Sequence, residues 1–301
     1  MQMTQRGPSK ARFEIVRLRC SATLVYSAYP SRLLVVPMAA KGCATLYWIQ
    51  YGGGMVSGDE YRLELELLRE AVVVLATQGA NKVYKSARSQ RDAEFATCAS
   101  LLCVLGLHAL LVSAPEPTIL YRDASFKQDT VIRMGRTASL FYVDWVASGR
   151  TTGQGESWNF SRFYSTVQIA LCDETLESAG SGTVVVNERV LLSEDDNFGK
   201  LKTRMGRFES HATIYILGPA LADVANTISR YVCDSHRQLL PGTLVSASES
   251  VRYARLGIPT SANLVVRIAA TSTELVQAVI STCCASLVHV LGYHPYERRG
   301  N

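Results

Sequence analysis

A glycine triplet followed by strict alternation constrains this chain more than any other feature. Residues 51–84 read YGGGMVSGDEYRLELELLREAVVVLATQGANKVY. Gly52, Gly53 and Gly54, with Ser57, Gly58 and Asp59 close behind, predict a tight corner, because glycine has nothing to pack in a strand and tolerates φ > 0. Tyr61, Leu63, Leu65 and Leu67 then alternate with Arg62, Glu64 and Glu66, which is the period of a half-buried strand. A turn at Arg69 and Glu70 leads to a second predicted strand, 71–76, apolar on both faces. A polar cluster over 77–84, with Thr77, Gln78, Lys82 and Tyr84, closes the unit.

The rest of the chain continues in short strands. Valine-, leucine- and tyrosine-rich runs predict strands at 13–18, 22–26, 32–37 and 44–51, with turn residues at 29–31 and 41–42. The run 93–112 fits a helix or a strand pair, and period alone does not separate them. Pro115 and Pro117 hold 114–117 extended. Further strands are predicted at 163–171, 183–192, 212–217 and 263–269.

Two helices are predicted, both in the last third. One follows Pro219, a residue suited to a first helical position, with Leu221, Val224, Ile228 and Val232 on one face. The other opens on the capping-box pattern Thr271-x-x-Glu274. It repeats apolar residues at threes and fours from Leu275 to Leu287 and Leu291, and Gly292 is placed to stop it. It is expected to be the longest helix, within about 271–291. The reading is a mostly-β single domain over 1–301, with 1–12 as a loose tail and no internal repeat of clear letter identity.

Composition excludes several classes. Hydrophobic residues make 48% and charged residues 19%, so the chain folds around a core rather than remaining disordered. The net charge of +5 is scattered, without a run of five like charges, and gives no support for a nucleic-acid partner. Eight cysteines occur without a C-x-x-C pair or zinc spacing, which reads as buried thiols in a reducing, cytoplasmic setting. No apolar run reaches membrane-spanning length without a charge or glycine. The basic N-terminus lacks a signal-peptide core, although it is compatible with a transit peptide.

The chemistry-bearing residues argue against an enzyme. His108, His211, His236, His289 and His294 form no H-x-H, H-E-x-x-H or i, i+4 pair. There is no G-x-S-x-G elbow, and the glycine triplet lacks the lysine and helix of a phosphate loop. Asp144 is the most telling acid. It follows the apolar run 140–143 and precedes Trp145 and a Ser148-Gly149-Arg150 turn. Such a carboxylate either orders that turn, by hydrogen bonding or by pairing with Arg150, or faces an internal polar passage, and Glu156 has the same two readings.

Four blocks carry a family resemblance. They are YGGGMVSGD at 51–59 with TQGANKVYK at 77–85, the Pro115-Glu116-Pro117 segment with Phe126 and Gln128, DWVASGR at 144–150 with Gly155, Glu156 and Trp158, and the tail Leu291, Gly292, Pro295, Arg298. Together they resemble the urease accessory protein UreD (UreH in some bacteria), over roughly residues 13–299. The resemblance implies a flattened β-helix-like stack of strands carrying two helices. It also implies a scaffold and nickel-delivery chaperone with no chemistry of its own. Its partners would be urease apoprotein, UreF, and the GTPase UreG through UreF, with no nucleic acid or membrane and room for a homo-oligomer within the complex. Nickel would be carried transiently, with Asp144 and Glu156 along its path, and no cofactor would be held tightly. Leu287, Leu291, Gly292, Pro295 and Arg298 would dock the adaptor. The rival readings are a jelly-roll metal enzyme, which needs clustered histidines, and a purely structural β scaffold.

Overall fold

The computed structural model describes residues 9–16, 19–26, 31–37, 42–86, 95–149, 155–172, 182–194, 199–235, 241–249 and 262–296. Strands β1 (Ser9–Val16), β2 (Arg19–Tyr26), β3 (Ser31–Pro37) and β4 (Cys43–Gln50) come first. Next are β5 (Glu60–Leu67), β6 (Val72–Thr77), β7 (Asn81–Val83), β8 (Thr97–Leu105), β9 (Leu110–Ser113) and β10 (Thr118–Leu120). The longest strands follow: β11 (Ser125–Gly135), β12 (Ser139–Ser148), β13 (Arg162–Cys172) and β14 (Thr183–Ser193). Then come α1 (Leu201–Met205), β15 (Ser210–Gly218) and α2 (Ala222–Ser235). The last elements are β16 (Thr243–Glu249), β17 (Ala262–Ala270), α3 (Thr273–Ala285) and α4 (Val288–Leu291).

The strands form two sheets. One has the order β14-β13-β11-β8-β5-β1-β2, and the other runs β16-β17-β15-β12-β9-β6-β4-β3 with β10 and β7 attached beside β12. The chain alternates between them, so β5–β6, β8–β9 and β11–β12 are stacked rungs. Each rung runs parallel to the one below it in both sheets. This is the expected mostly-β, flattened β-helix-like stack. The rungs turn alike: Ala71, Ala109 and Ala138 each donate their N–H to the carbonyl three residues back, at 3.1, 3.1 and 2.9 Å. Those three alanines are buried, and they are almost the only letters that the turns share. A spatial repeat thus exists where the sequence shows no repeat of letters.

Alternation places the side chains. On β5, Tyr61, Leu63, Leu65 and Leu67 face the opposite sheet, while Arg62, Glu64 and Glu66 face outward. The outer face of the second sheet is covered by α2 and α3, which pack on β15–β17. The molecule therefore has three layers and two interiors, one between the sheets and one between sheet and helices.

Of the two readings left open for the run 93–112, the strand pair holds, as β8 and β9. Several other expectations are corrected. Residues 9–12 belong to β1 and not to a loose tail. Strands β11 and β16 were not expected at all. The cap of α3 is Ser272, whose Oγ accepts from Leu275 N–H at 3.4 Å; Thr271 is still held to Gly242 by its own N–H at 2.9 Å. Among the described residues the longest helix is α2, with 14 residues, against 13 for α3. The apolar run after 271 breaks because Ser286 Oγ donates to Cys283 O at 2.6 Å, and its side chain competes with the backbone for that acceptor. Gly292 does end α4, in the left-handed conformation at φ 84°.

Candidate functional site

The glycine corner is built for close approach. Gly52 and Gly53 both adopt φ +76°, and a Cβ on Gly54 would lie 2.5 Å from the Tyr84 ring and 2.8 Å from Lys82 O. Without side chains there, the segment lies flat on β7. Met55 N–H donates to Lys82 O at 2.7 Å, and Tyr84 N–H donates to Met55 O at 2.9 Å. Asp59 closes the corner by accepting from Val56 N–H at 2.9 Å. Thr77 Oγ1 donates to Gly79 O at 3.0 Å and accepts from Glu116 N–H at 2.9 Å. Asn81 N–H donates to Pro117 O at 2.9 Å, and its side-chain oxygen accepts from Gln50 at 3.0 Å. Three blocks far apart in sequence thus become one wall. Gln78 stands in solvent, Gly58 is exposed, and Ser57 is partly buried at the corner.

Behind this wall lies a cavity of about 70 Å³ between the sheets. At roughly 10–15 Å³ per water, it has room for a handful. Its lining mixes Trp48, Tyr61 and Phe126 with Gln50, Asn81, Glu116, Gln128 and Asp144. Asp144 sits in the middle of β12 and reaches across to the facing sheet. Gln128 Nε2 donates to its Oδ1 at 2.9 Å, and Ser165 Oγ donates to its Oδ2 at 3.0 Å. Gln128 and Ser165 are register partners on β11 and β13, so the carboxylate meets a side-by-side pair of donors. One step along, the Tyr142 and Thr130 hydroxyls are 3.0 Å apart.

This polar layer divides the interior between the sheets. On one side lie Leu63, Leu65, Ile132, Met134 and Leu140. On the other lie Met55, Tyr61, Phe126, Phe163 and Trp158. Burial pushes the Asp144 carboxyl above the usual carboxylate range; the Ser165 and Gln128 hydrogen bonds oppose this, and the charge of Glu188 adds to it. The Trp48 indole N–H, also in the lining, is buried with no partner among the described residues.

The turn-ordering reading of Asp144 is not what the carboxylate does among the described residues. Its hydrogen-bond partners Gln128 and Ser165 belong to the opposite sheet, and Ser148 Oγ is buried without a partner among the described residues. Arg150 lies outside the described residues. Gly149 is needed sterically, since a Cβ there would meet Leu120 O at 2.8 Å and Glu156 O at 3.1 Å. Trp145 points to the helix side and donates to Ser210 Oγ at 2.8 Å. Glu156 is partly exposed and is not part of the cavity lining; Glu116, not singled out as a site residue, shares the cavity with Asp144.

Two of the residues expected to dock the adaptor are core instead. Leu287 and Leu291 are fully buried in the helix-side interior, so their apolar surface is already used. Gly292 and Pro295 are on or near the surface, and Arg298 lies outside the described residues. The described histidines are dispersed: His108 on an exposed turn, His211 on β15, His289 on α4, and His294 buried against Ser281 O at 2.9 Å. Among the described residues no group of three or more His, Cys, Asp or Glu is placed to hold a metal ion. Nor does any described helix have the length and apolarity to cross a membrane. Gln128 and Ser165 had a usable signal, since each is a polar letter on the inward parity of an apolar strand. Using it required β11 to be read as a strand.

The match to a family model extends across this whole arrangement. The model described as UreD urease accessory protein matches residues 9–300. The chain belongs to the UreD family of urease accessory proteins. It is similar to urease accessory protein UreD of Sorangium cellulosum (strain So ce56), 30% identical over 292 residues, covering 95% of this chain and 83% of that protein. It is equally similar to urease accessory protein D of Oryza sativa subsp. indica, 30% identical over 306 residues, covering 95% and 94%. Urease accessory protein D of Arabidopsis thaliana is 29% identical over 295 residues, covering 92% and 95%. In this UreD family member, three of the four blocks that carry the resemblance contribute to the cavity wall and the Asp144 strand, while Leu291 of the tail packs on the helix side.

Proposed function

We propose that this chain is a cytoplasmic scaffold in urease maturation that passes nickel through the polar layer between its sheets. It binds urease apoprotein on one side and UreF, with UreG recruited through UreF, on the other. It catalyses no reaction itself. The observation that carries the reading is Asp144, a carboxylate with two neutral hydrogen-bond donors, facing a cavity of about 70 Å³ inside a two-sheet stack. A divalent ion crossing a low-dielectric interior needs negative charge nearby. Nickel accepts oxygen and imidazole ligands, so a few carboxylates and waters hold it weakly enough to let it go. Burial raises the proton affinity of the Asp144 carboxyl, so a cation arriving beside it competes with a proton for that site. Glu116 at the same cavity supplies a second carboxylate, a role sequence reading had given to Glu156.

The test is Asp144→Asn. Asparagine keeps the size, accepts from Ser165, and donates to Gln128 once that amide flips, so the layer stays satisfied while the charge is lost. In cells carrying only this variant, urease should contain less nickel, while the variant still co-purifies with UreF and urease. Full nickel loading would sink the passage and leave the purely structural scaffold.

A further inference from the structure

We infer that His211 Nε2 and Ser148 Oγ form a second station for a divalent transition-metal ion, next to the Asp144 layer. The inference rests on the passage reading and extends it to residues on β15 and on the end of β12. Register places them. His211 is paired opposite Val146, and Val146 belongs to the cluster between the sheets, so the imidazole faces that interior. Ser148, two residues further along β12, faces the same side, as does Asp144 two residues before. His211 is therefore the diagonal neighbour of both, at Cβ separations of about 7–8 Å or slightly less. A single small guest between Ser148 and His211 can touch both.

Both atoms are available to a guest. Ser148 is only 3% exposed, and its hydroxyl has no hydrogen-bond partner among the described residues. His211 Nε2 is buried and equally without a partner among them. A buried polar group left unpaired is unfavourable, and two on one face call for a common explanation. The ring is otherwise held by aromatic edges, with Trp158 at 5.7 Å and Phe208 at 6.4 Å between centroids. Trp158 is itself fixed by its indole N–H, which donates to Phe208 O at 2.6 Å. The imidazole is thus oriented by packing alone, with Nε2 left over. A nitrogen donor beside oxygen donors favours nickel, cobalt or zinc over magnesium or calcium, so the station sets which ion the passage accepts.

The test uses the full chain and nickel(II) chloride as the probe. Nickel X-ray absorption of the wild type should show imidazole scattering, and His211→Phe should abolish it and weaken binding by about tenfold or more in calorimetry. Ser148→Ala should weaken binding less and keep the imidazole signature. Metal-free His211→Phe should melt at the same temperature or higher, since phenylalanine fits the aromatic surroundings without an unpaired nitrogen. An unchanged spectrum in His211→Phe overturns the inference, as does a wild type that binds no nickel. A sharp drop in the melting temperature of metal-free His211→Phe also overturns it, by showing a structural partner for the nitrogen. Failure of the passage reading is recognised separately, by full urease loading with Asp144→Asn.

Discussion

The strand Ser139–Ser148 has two faces, and each is buried in a different kind of interior. Toward the helices it presents Phe141, Val143 and Trp145, which cluster with Ile214, Ile216, Val266, Val276 and Ile280 in an apolar pack. Its indole N–H is absorbed by Ser210. Toward the facing sheet it presents Leu140, Tyr142, Asp144, Val146 and Ser148, where hydroxyls, an amide and a carboxylate interrupt the apolar side chains. One backbone segment supports both. The fold is therefore able to build a continuous apolar interior and does not do so between the sheets. Because apolar replacements of buried polar groups are often neutral or stabilising, stability alone gives no reason for the polar layer. The contrast is what singles the layer out for test.

The comparison breaks most visibly at Val143. Val143→Asp places a second carboxylate one residue earlier, in the helix-side interior, where Val143 is 1% exposed. With no donors waiting, the charge should destabilise the fold by more than about 4 kcal/mol. Circular dichroism and denaturant melts should show loss of cooperative unfolding. A Val143→Asp protein as stable as the wild type would mean that the two interiors do not differ.

A smaller effect is expected at Asp144 itself. Asp144→Ala strands Gln128 Nε2 and Ser165 Oγ, which should cost about 1–3 kcal/mol in urea melts. Asp144→Asn should recover most of that, and equal losses in the two variants would show that the charge, not the hydrogen bonding, holds the layer together.

The smallest effect is a slope with pH. Burial raises the folded-state pKa of Asp144 above its ordinary value of 3.8. In the window between those two values the folded chain binds more protons than the unfolded chain, so stability falls as pH rises. Melting temperatures of wild type and Asp144→Asn, subtracted across mildly acidic to neutral pH, should diverge in favour of asparagine as pH increases. A constant difference would mean that the carboxylate is ionised without penalty.

Much of the fold is legible in the letters because alternation is local. Tyr61, Leu63, Leu65 and Leu67 announce a strand and its buried face, and Gly292 announces a helix end. β11 was illegible because Lys127, Gln128, Asp129 and Thr130 break the alternation with polar letters on both parities. The inward ones belong to the polar layer, so the feature that defines the site also hid its strand. Glu116 was overlooked as a site residue because nothing near it in sequence marks a cavity; Thr77, Asn81 and Gln50 come to it from other rungs.

The sequence by itself determined that this chain is strand-rich, where its glycine corner lies, that its long helices come late, and that Asp144 is an unusual acid. Each of these follows from side-chain periodicity or from the backbone freedom of single residues, which neighbours in the chain decide. Only the tertiary structure decided that Asp144 faces Gln128 and Ser165 rather than the turn after it. It likewise decided that Glu116 replaces Glu156 at the cavity, and that Leu287 and Leu291 are core. Those outcomes depend on which rung stacks on which and which sheet faces which. They are set by contacts between residues far apart in the chain, and no local pattern encodes such contacts.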